Sequence, residues 1–194
     1  MKQYTIGILG EGQLGKMLAM KAIAMGYTVI VFGNQQEGVA YSVCHKKYIS
    51  LDTDGGYKNK TLLEQFGREC DVVLLEFENI PTETLDYLSQ FTTVCPNSIV
   101  LEITQDRWLE KTTCQSLGIK TANTLNIENI SDIEDASNLN FPGILKTRRL
   151  GYDGHGQVKI NSKNELVSTW NNFKNVPCVY EEFVSFICEL SVIA

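Results

Sequence analysis

The sequence predicts an α/β fold in which a parallel, doubly wound layer is followed by a smaller α+β region. Three observations predict it. Short β-branched segments alternate with helical periodicity over residues 1–100, a glycine-rich turn joins the first strand to the first helix, and asparagine-rich turns become frequent from Asn123 to Asn175. With 43% hydrophobic and 21% charged residues, the 194-residue chain can bury a core.

The first predicted unit is a strand, a helix and a second strand. Thr5–Leu9 is short and β-branched, and Thr28–Phe32 repeats that pattern after the helix. A right-handed crossover between parallel strands follows from this order. The helix is expected to end at Gly26 and to bury the apolar residues that recur at spacings of three and four: Leu14, Met17, Leu18, Ala22 and Met25.

The alternation continues along the chain. Patterning predicts a helix near Thr61–Glu69, a buried strand Val72–Leu75, a helix after Pro81 and a short strand Thr93–Cys95. A single helix is expected from about Gln105 to Leu117, where Gly118 stops it.

The second region combines short strands with two capped helices. Ser131 and Ser162 each precede a glutamate by three residues, which predicts that each begins a helix. Residues 189–194 have the composition of a further strand, and the sequence is expected to be cut short there. The other predicted strands are Thr124–Ile127, Gly143–Thr147, Gln157–Ile160 and Val179–Glu182.

Charge and cysteine content narrow the function classes. The 17 basic and 23 acidic residues give a net charge of −6, which argues against nucleic acid as a partner. No apolar run approaches a membrane span and no secretory signal precedes the first strand, so we expect a cytoplasmic protein without a membrane segment. The six cysteines form no C-x-x-C pair and only two histidines are present, so a zinc site is not expected.

The turn Gly10-x-Gly12-x-x-Gly15 has the spacing of a dinucleotide-binding fingerprint. That fingerprint also requires an acidic residue at the end of the second strand, and none occurs before Glu37. A nicotinamide dehydrogenase is therefore disfavoured. The glycines are expected either to let the helix pack on the strand or to contact another small ligand.

Two further segments carry candidate chemistry. Between Lys146 and Gln157, three cations accompany three glycines, a composition suited to a lid over polyphosphate or, alternatively, to a solvated hairpin. Glu76 and Glu78 follow a buried strand at the edge where α/β sheets bind ligands. They are expected to receive a substrate amine or hydroxyl, although Glu78 or Asn79 could instead cap the next helix.

Five segments in order resemble motifs of the ATP-grasp superfamily, most closely its 5-(carboxyamino)imidazole ribonucleotide synthase family. Residues 10–18 look like G-G-G-Q-L-G-[RK]-M, and residues 76–81 look like E-[FY]-E-[NH]-[VI]-P. Residues 145–157 look like L-K-T-R-R-x-G-Y-D-G-[KR]-G-Q. The resemblance implies a Rossmann-like pre-ATP-grasp domain at 1–102 and a partial ATP-grasp domain at 103–194, with a lid subdomain at about 120–180. The segments are 10–18, 76–81, 105–111, 145–157 and 181–192.

The resemblance also implies site residues. For ATP these are two phosphate ligands, the glycine segment that closes over the phosphates, the hinge beside the adenine and one ribose ligand: Arg107 and Lys146; Gly151, Tyr152, Asp153, Gly154, His155, Gly156 and Gln157; Glu181, Glu182, Phe183 and Val184; and Glu189. For the ribonucleotide they lie in the glycine turn, the acidic segment and the lid: Gly12, Gln13 and Leu14; Glu76 or Glu78; and Tyr152, Asp153 and His155.

The implied reaction belongs to purine biosynthesis. ATP phosphorylates bicarbonate, and the carboxyphosphate transfers its carboxyl group to the amine of 5-aminoimidazole ribonucleotide, with Mg²⁺ neutralising phosphate charge. The resemblance implies a homodimer. It places the Mg²⁺ ligands beyond this chain, so none is expected within it and the chain alone is expected to be inactive.

One departure from the motif has a testable consequence. His155 stands where the family has Lys or Arg. If it contacts the substrate phosphate, we expect ribonucleotide affinity to fall as the pH rises above about 6.5.

Two alternatives remain open at this point. Another ATP-grasp ligase, such as a formate-dependent glycinamide ribonucleotide transformylase or a biotin carboxylase, would share the architecture and differ in the acidic and lid segments. A non-catalytic nucleotide-binding module would bind nucleotide without turnover.

Overall fold

The computed structural model describes residues 3–137, 139–151 and 155–192. The chain divides into two compact units, Met1–Glu102 and Ile103–Ala194. In the described part, no helix is both long and apolar enough to cross a membrane.

The first unit contains a five-stranded parallel sheet, which confirms the predicted doubly wound layer. Its strand order is β3-β2-β1-β4-β5, and each neighbouring pair is parallel. The strands are β1 Thr5–Leu9, β2 Thr28–Gly33, β3 Lys46–Ile49, β4 Val72–Leu75 and β5 Thr93–Cys95. The helices that follow β1, β3 and β4 are α1 Gln13–Ala24, α2 Lys60–Glu69 and α3 Thr82–Leu88.

Strand β3 lies at the edge of this sheet and was not predicted. Its two lysines, Lys46 and Lys47, are exposed, and Tyr48 is buried against Phe32 and Phe66. Paired lysines interrupt the apolar pattern by which a strand is recognised, and exposed lysines are common on edge strands.

The buried face predicted for α1 is wrong except at Ala22. Leu14, Met17, Leu18 and Met25 are exposed, and the helix buries its small residues instead: Gly15, Ala19 and Ala22. A Cβ atom at Gly15 would lie 2.8 Å from the carbonyl oxygen of Gly10, so the helix begins too close to the sheet for larger side chains. The predicted end at Gly26 is confirmed, with φ at +88°.

The helix predicted from about Gln105 to Leu117 is confirmed to within two residues at either end, and a separate short helix that was not predicted precedes it. Helix α4 spans Ser98–Thr104 and α5 spans Arg107–Ser116. The break comes at Asp106, whose carboxylate accepts hydrogen bonds from the amides of Trp108 at 2.9 Å and Leu109 at 3.4 Å. Asp106 is therefore the N-cap that starts α5.

The second unit contains a four-stranded antiparallel sheet, which confirms the predicted α+β arrangement. Its order is β6-β9-β7-β8. The strands are β6 Thr124–Ile127, β7 Gly143–Thr147, β8 Gln157–Ile160 and β9 Cys178–Glu182, and the helices that follow β6 and β8 are α6 Ile130–Asp135 and α7 Lys163–Asn172. Their shared core consists of Ile127, Ile133, Leu145, Ile160, Leu166, Trp170, Cys178 and Tyr180.

The alternation of side chains along β7 and β9 places core residues on one face of the sheet and charged residues on the other. Leu145 pairs with Tyr180 in the β7–β9 register, and both belong to the core. Lys146 and Glu181, the next residue on each strand, therefore lie on the opposite face of the sheet.

One of the two predicted helix caps is confirmed. The hydroxyl of Ser162 accepts the amide of Glu165 at 3.3 Å and starts α7. The other prediction is wrong, because α6 begins before Ser131. Asp132 accepts the amides of Glu128 and Asn129 at 2.7 and 2.8 Å, and these bonds hold the pKa of Asp132 below its ordinary value.

The strand predicted at 189–194 is wrong for the residues described there. Residues 189–192 are exposed coil, and no described segment pairs with them. A strand gains its hydrogen bonds from a neighbour, so an apolar composition alone does not produce one. Residues 193 and 194 lie outside the described ranges.

Candidate functional site

The glycine turn of the first unit lies beside Glu76. Strands β1 and β4 are neighbours, with Leu9 opposite Leu75, so the segments that follow them meet at the carboxyl edge of the sheet. The amide of Glu76 donates to Leu9 at 2.9 Å, and the amide of Gly12 donates to Oε2 of Glu76 at 2.7 Å. The strand order changes direction here, which is where such sheets bind ligands.

The three glycines make room for the Glu76 side chain. A Cβ atom at Gly10 would lie 2.6 Å from that of Glu76, and one at Gly12 would overlap its Oε1. The carboxylate thus occupies the N-terminus of α1, where a bound dinucleotide would place a phosphate. The Gly-x-Gly-x-x-Gly spacing here accommodates a negative group of the protein itself.

Glu76 and Glu78 have different surroundings. Glu78 is exposed, and Asn79 donates to its Oε1 at 3.4 Å. Neither Glu78 nor Asn79 caps α3, because the N-cap is Pro81 and no side chain caps that end. The structure therefore brings Glu76 to Gly12, next to the exposed Gln13 and Leu14, and leaves Glu78 on the surface.

We predict that Glu76→Gln accelerates hydrogen exchange at the Gly12 amide by about tenfold, because a neutral acceptor forms a weaker hydrogen bond than a carboxylate. Exchange measured by NMR checks this, with Glu78→Gln as the matched control, for which we expect no change. Equal acceleration in both variants would contradict the assignment.

Glu11 is a buried residue of the turn that sequence reasoning missed. It packs against Gly33 and Gly38, and the Tyr57 hydroxyl donates to its Oε2 at 3.1 Å. Burial raises the pKa of Glu11 and outweighs the hydrogen bonds to it, and the charge of Glu76 raises it further. The available signal was a charged residue where the family motif has glycine.

In the second unit, Arg107 binds the base of the lysine- and glycine-rich segment. Its Nη1 donates to the carbonyl of Thr147 at 2.8 Å and its Nη2 to that of Gly151 at 2.9 Å. Its own amide donates to the carbonyl of Arg148 at 3.0 Å. The guanidinium predicted to hold phosphate therefore lies at the end of β7 and fixes the backbone there.

Asp106 and Arg148 form a buried pair next to this contact. Arg148 donates to both oxygens of Asp106, with Nη2 to Oδ2 at 2.7 Å and Nε to Oδ1 at 2.9 Å, and its Nη1 contacts Glu128 at 2.6 Å. Burial alone would raise the pKa of Asp106. The bonds from Arg148 and from the amides of α5 outweigh burial, so the pKa lies below its ordinary value.

Glu181 binds two lysines on the sheet face opposite the core. Oε2 of Glu181 accepts from Nζ of Lys146 at 2.9 Å, and its Oε1 lies 3.2 Å from Nζ of Lys111. The Glu181 side chain is 9% exposed and each lysine 21%. Lys111 belongs to α5, one turn after Arg107, so two lysines from different elements share one carboxylate.

A cavity of about 590 Å³ adjoins the same segment and is lined in part by Asp106, Arg149, Gly156 and Pro177. Arg149 is half exposed, with Nε 3.5 Å from Asp106. The end of β7 therefore combines open space with cationic side chains.

Comparison with known proteins identifies the family. Residues 1–105, more than half of the chain, match the ribonucleotide synthetase preATP-grasp domain. The chain belongs to this family. Residues 112–194 match the ATP-grasp domain. The resemblance stated from the motifs is confirmed, as is its α/β fold.

The similar proteins are longer than this chain. The N5-carboxyaminoimidazole ribonucleotide synthase of Pseudomonas aeruginosa is 36% identical over 190 residues, 97% of this chain and 51% of that protein. The bifunctional purine synthesis protein purC/E of Dictyostelium discoideum is 38% identical over 97% of this chain and 19% of its own length. The chain thus spans about half the length of the synthase that it matches.

A solved structure resembles the whole described fold. The N5-carboxyaminoimidazole synthetase of Staphylococcus aureus, crystallised with ADP, superposes with a TM-score of 0.84 at 35% identity, over 94% of this chain and 48% of that one. The parallel preATP-grasp layer and the antiparallel ATP-grasp sheet therefore both have a counterpart in a nucleotide-bound relative.

The remaining predicted ATP-grasp residues are partly brought together. The carbonyl of Gly156 accepts a hydrogen bond from the amide of Thr147 at 2.8 Å, and Gln157 pairs with Lys146 in the β7–β8 register. His155, which precedes Gly156, is exposed. Tyr152, Asp153 and Gly154 lie outside the described residues.

The hinge residues follow β9. The side-chain Nδ2 atoms of Asn123 and Asn140 donate to the two carboxylate oxygens of Glu182, both at 2.8 Å. The backbone amide of Phe183 donates to the carbonyl of Pro142 at 3.1 Å. Val184 and Glu189 are exposed in the coil beyond the strand. The hinge is thus anchored at its start, and Glu189 contacts neither Lys111 nor Lys146.

Residues 3–137, 139–151 and 155–192 contain no group of three His, Cys, Asp or Glu side chains that could hold a metal ion. The described residues therefore offer Mg²⁺ no such cluster.

Proposed function

We propose that this chain supplies part of the active site of an ATP-dependent carbon–nitrogen ligase that carboxylates 5-aminoimidazole ribonucleotide. The observation that carries the proposal is that Lys111 and Lys146 share the buried carboxylate of Glu181, beside the end of β7 where Arg107 binds the Thr147 carbonyl. An excess of cations beside a glycine-rich segment favours a polyphosphate ligand. The similarity to N5-carboxyaminoimidazole ribonucleotide synthases supports the choice of substrate.

The proposed reaction has two transfers. An oxygen of bicarbonate attacks the γ-phosphorus of ATP, and ADP leaves as the terminal bridging bond breaks. The exocyclic amine of the ribonucleotide then attacks the carboxyl carbon of carboxyphosphate, phosphate leaves, and the amine loses one proton. The products are ADP, phosphate and the N-carboxylated ribonucleotide. We expect Mg²⁺ to accompany the phosphates, although the described residues contain no cluster of three candidate ligands for it.

The proposed nucleotide contacts follow the chemistry of each group. Arg107 and Lys146 would hold the phosphates, and the backbone of residues 151–157 would close over them. The backbone of residues 181–184 would pair with the adenine edge, and Glu189 would accept the ribose hydroxyls. Closure would require Arg107 to exchange its bonds to Thr147 and Gly151 for phosphate oxygens.

The ribonucleotide contacts are proposed at the glycine turn and in the lid. Gly12, Gln13 and Leu14 would lie against the ligand, with Glu76 accepting hydrogen bonds from its amine. Tyr152, Asp153 and His155 complete the proposed set. Glu76 is preferred to Glu78 because its carboxylate lies in the turn.

Titration calorimetry of the chain with Mg-ATP tests the nucleotide site. We expect binding that Lys146→Ala weakens by at least about tenfold, because a charge-assisted hydrogen bond is lost. Lys120→Ala is the matched control, since Lys120 is a lysine of the same unit outside the Glu181 cluster. Absence of binding, or equal weakening in both variants, would contradict the nucleotide site.

A second titration tests the substrate. Aminoimidazole ribonucleotide should bind the chain and lose affinity in Glu76→Gln but not in Glu78→Gln. Affinity unchanged by Glu76→Gln would contradict its proposed role.

Assembly and compartment are proposed from the family resemblance alone. The proposed assembly is a homodimer in the cytoplasm, and sedimentation velocity tests the oligomeric state.

A further inference from the structure

Two buried lysines share one carboxylate in the ATP-grasp part of the chain. Each lysine side chain is about four-fifths buried, and Glu181 is the carboxylate that both ammonium groups contact. The cluster therefore carries one positive charge more than its own pairing balances. Burying a charge without a partner is unfavourable, so the second lysine requires an explanation.

The two contacts differ in kind. Lys146 donates a hydrogen bond to Oε2 of Glu181 at 2.9 Å. Lys111 lies 3.2 Å from Oε1, which accepts no hydrogen bond although it is buried. The Lys111 ammonium is therefore positioned to take over the carboxylate, since one side of Glu181 has an unused acceptor that faces it.

The two lysines also differ in location. Lys146 lies on β7 one residue before its end at Thr147, whose amide donates to Gly156 of the glycine segment. Lys111 lies on α5, one helical turn after Arg107. Lys146 neighbours the glycine segment in the sequence, so an anion bound at that segment would attract Lys146. Lys111 could then remain beside Glu181.

We propose that Lys111 is a positioning residue, which neutralises Glu181 when Lys146 turns from that carboxylate to the nucleotide phosphates. This inference rests on the proposed nucleotide site. Without Lys111, movement of Lys146 would leave Glu181 buried and unpaired, so Glu181 would retain Lys146 and compete with the phosphates for it. Lys111 thereby lowers the cost of nucleotide binding without contacting the nucleotide.

The first test needs no nucleotide. Urea unfolding should be followed by tryptophan fluorescence for Lys111→Met, Lys146→Met and the double variant. Since either lysine can neutralise Glu181, we expect the loss in urea midpoint of the double variant to exceed the sum of the two single losses. Adding Glu181→Gln to the double variant should recover most of that loss. Additive losses would overturn the inference.

The second test measures ADP affinity by calorimetry. We expect Lys111→Met to weaken ADP binding by about tenfold and Lys111→Arg to restore it. Glu181→Gln in the Lys111→Met background should also restore affinity, because the competing carboxylate is then neutral. A merely structural role for Lys111 would not produce that restoration.

The outcomes separate the two proposals. Weak ADP binding in Lys111→Met that Glu181→Gln does not restore would overturn the positioning role and indicate direct contact with the phosphates. A wild-type chain that binds no ADP would instead contradict the proposed nucleotide site, and the unfolding cycle would still decide whether the lysines share Glu181.

Discussion

Gly143→Ala is expected to destabilise the ATP-grasp unit by about 3 kcal/mol, as severe overpacking of a buried site does. A Cβ atom there would overlap the Tyr180 ring and lie 2.6 Å from the carbonyl oxygen of Glu181. Tyr180 is fully buried, and its hydroxyl donates to Asn140 at 2.8 Å, so the ring cannot move away freely. The displacement would reach Glu181 through β9.

Gly118→Ala is the control for this substitution. Apart from its chain neighbours, no atom of the described residues lies within 4 Å of a Cβ built there. Since φ is +77°, only the backbone conformation is penalised, by about 1 kcal/mol. Both tryptophans, Trp108 and Trp170, belong to the second unit, so fluorescence during urea unfolding reports on that unit. Equal losses in the two variants would contradict the steric argument.

Asp106→Ala is expected to cost about 3 kcal/mol at pH 7, because it leaves the buried guanidinium of Arg148 without its partner. It also removes the cap of α5, whose first residue, Arg107, fixes the end of β7. Arg149→Ala is the control. Arg149 is half exposed and 3.5 Å from the same carboxylate, so its loss should change stability by no more than about 0.5 kcal/mol.

The lowered pKa of Asp106 gives this contribution a pH dependence. The folded carboxyl binds its proton less readily than the unfolded one, so the stabilisation is complete above the ordinary aspartate pKa of about 3.9. It is lost as the pH falls through the lower pKa of the folded state. Asp106→Asn should remove that part of the acid dependence, and urea midpoints between pH 2.5 and 5 check it. An unchanged slope would contradict the assignment.

The sequence by itself determined the order of the layers and the family. Strand β4 and helices α2 and α3 follow from local apolar periodicity, and the five motifs are runs of consecutive residues. Such features depend on near neighbours along the chain, so they can be recognised without knowing how the chain folds.

The tertiary structure alone decided which side chains meet. Gly12 and Glu76 are 64 positions apart, and the register of β1 with β4 brings the carboxylate into the turn. The pairing of Lys111 with Glu181 likewise depends on where α5 lies relative to β9.

The exposed apolar face of α1 has the same explanation. The apolar periodicity is visible in the sequence. The face with small residues is buried instead, because Gly15 lies too close to Gly10 for a larger side chain to fit between them. Contacts between distant segments are set by packing and register, which local patterns do not specify.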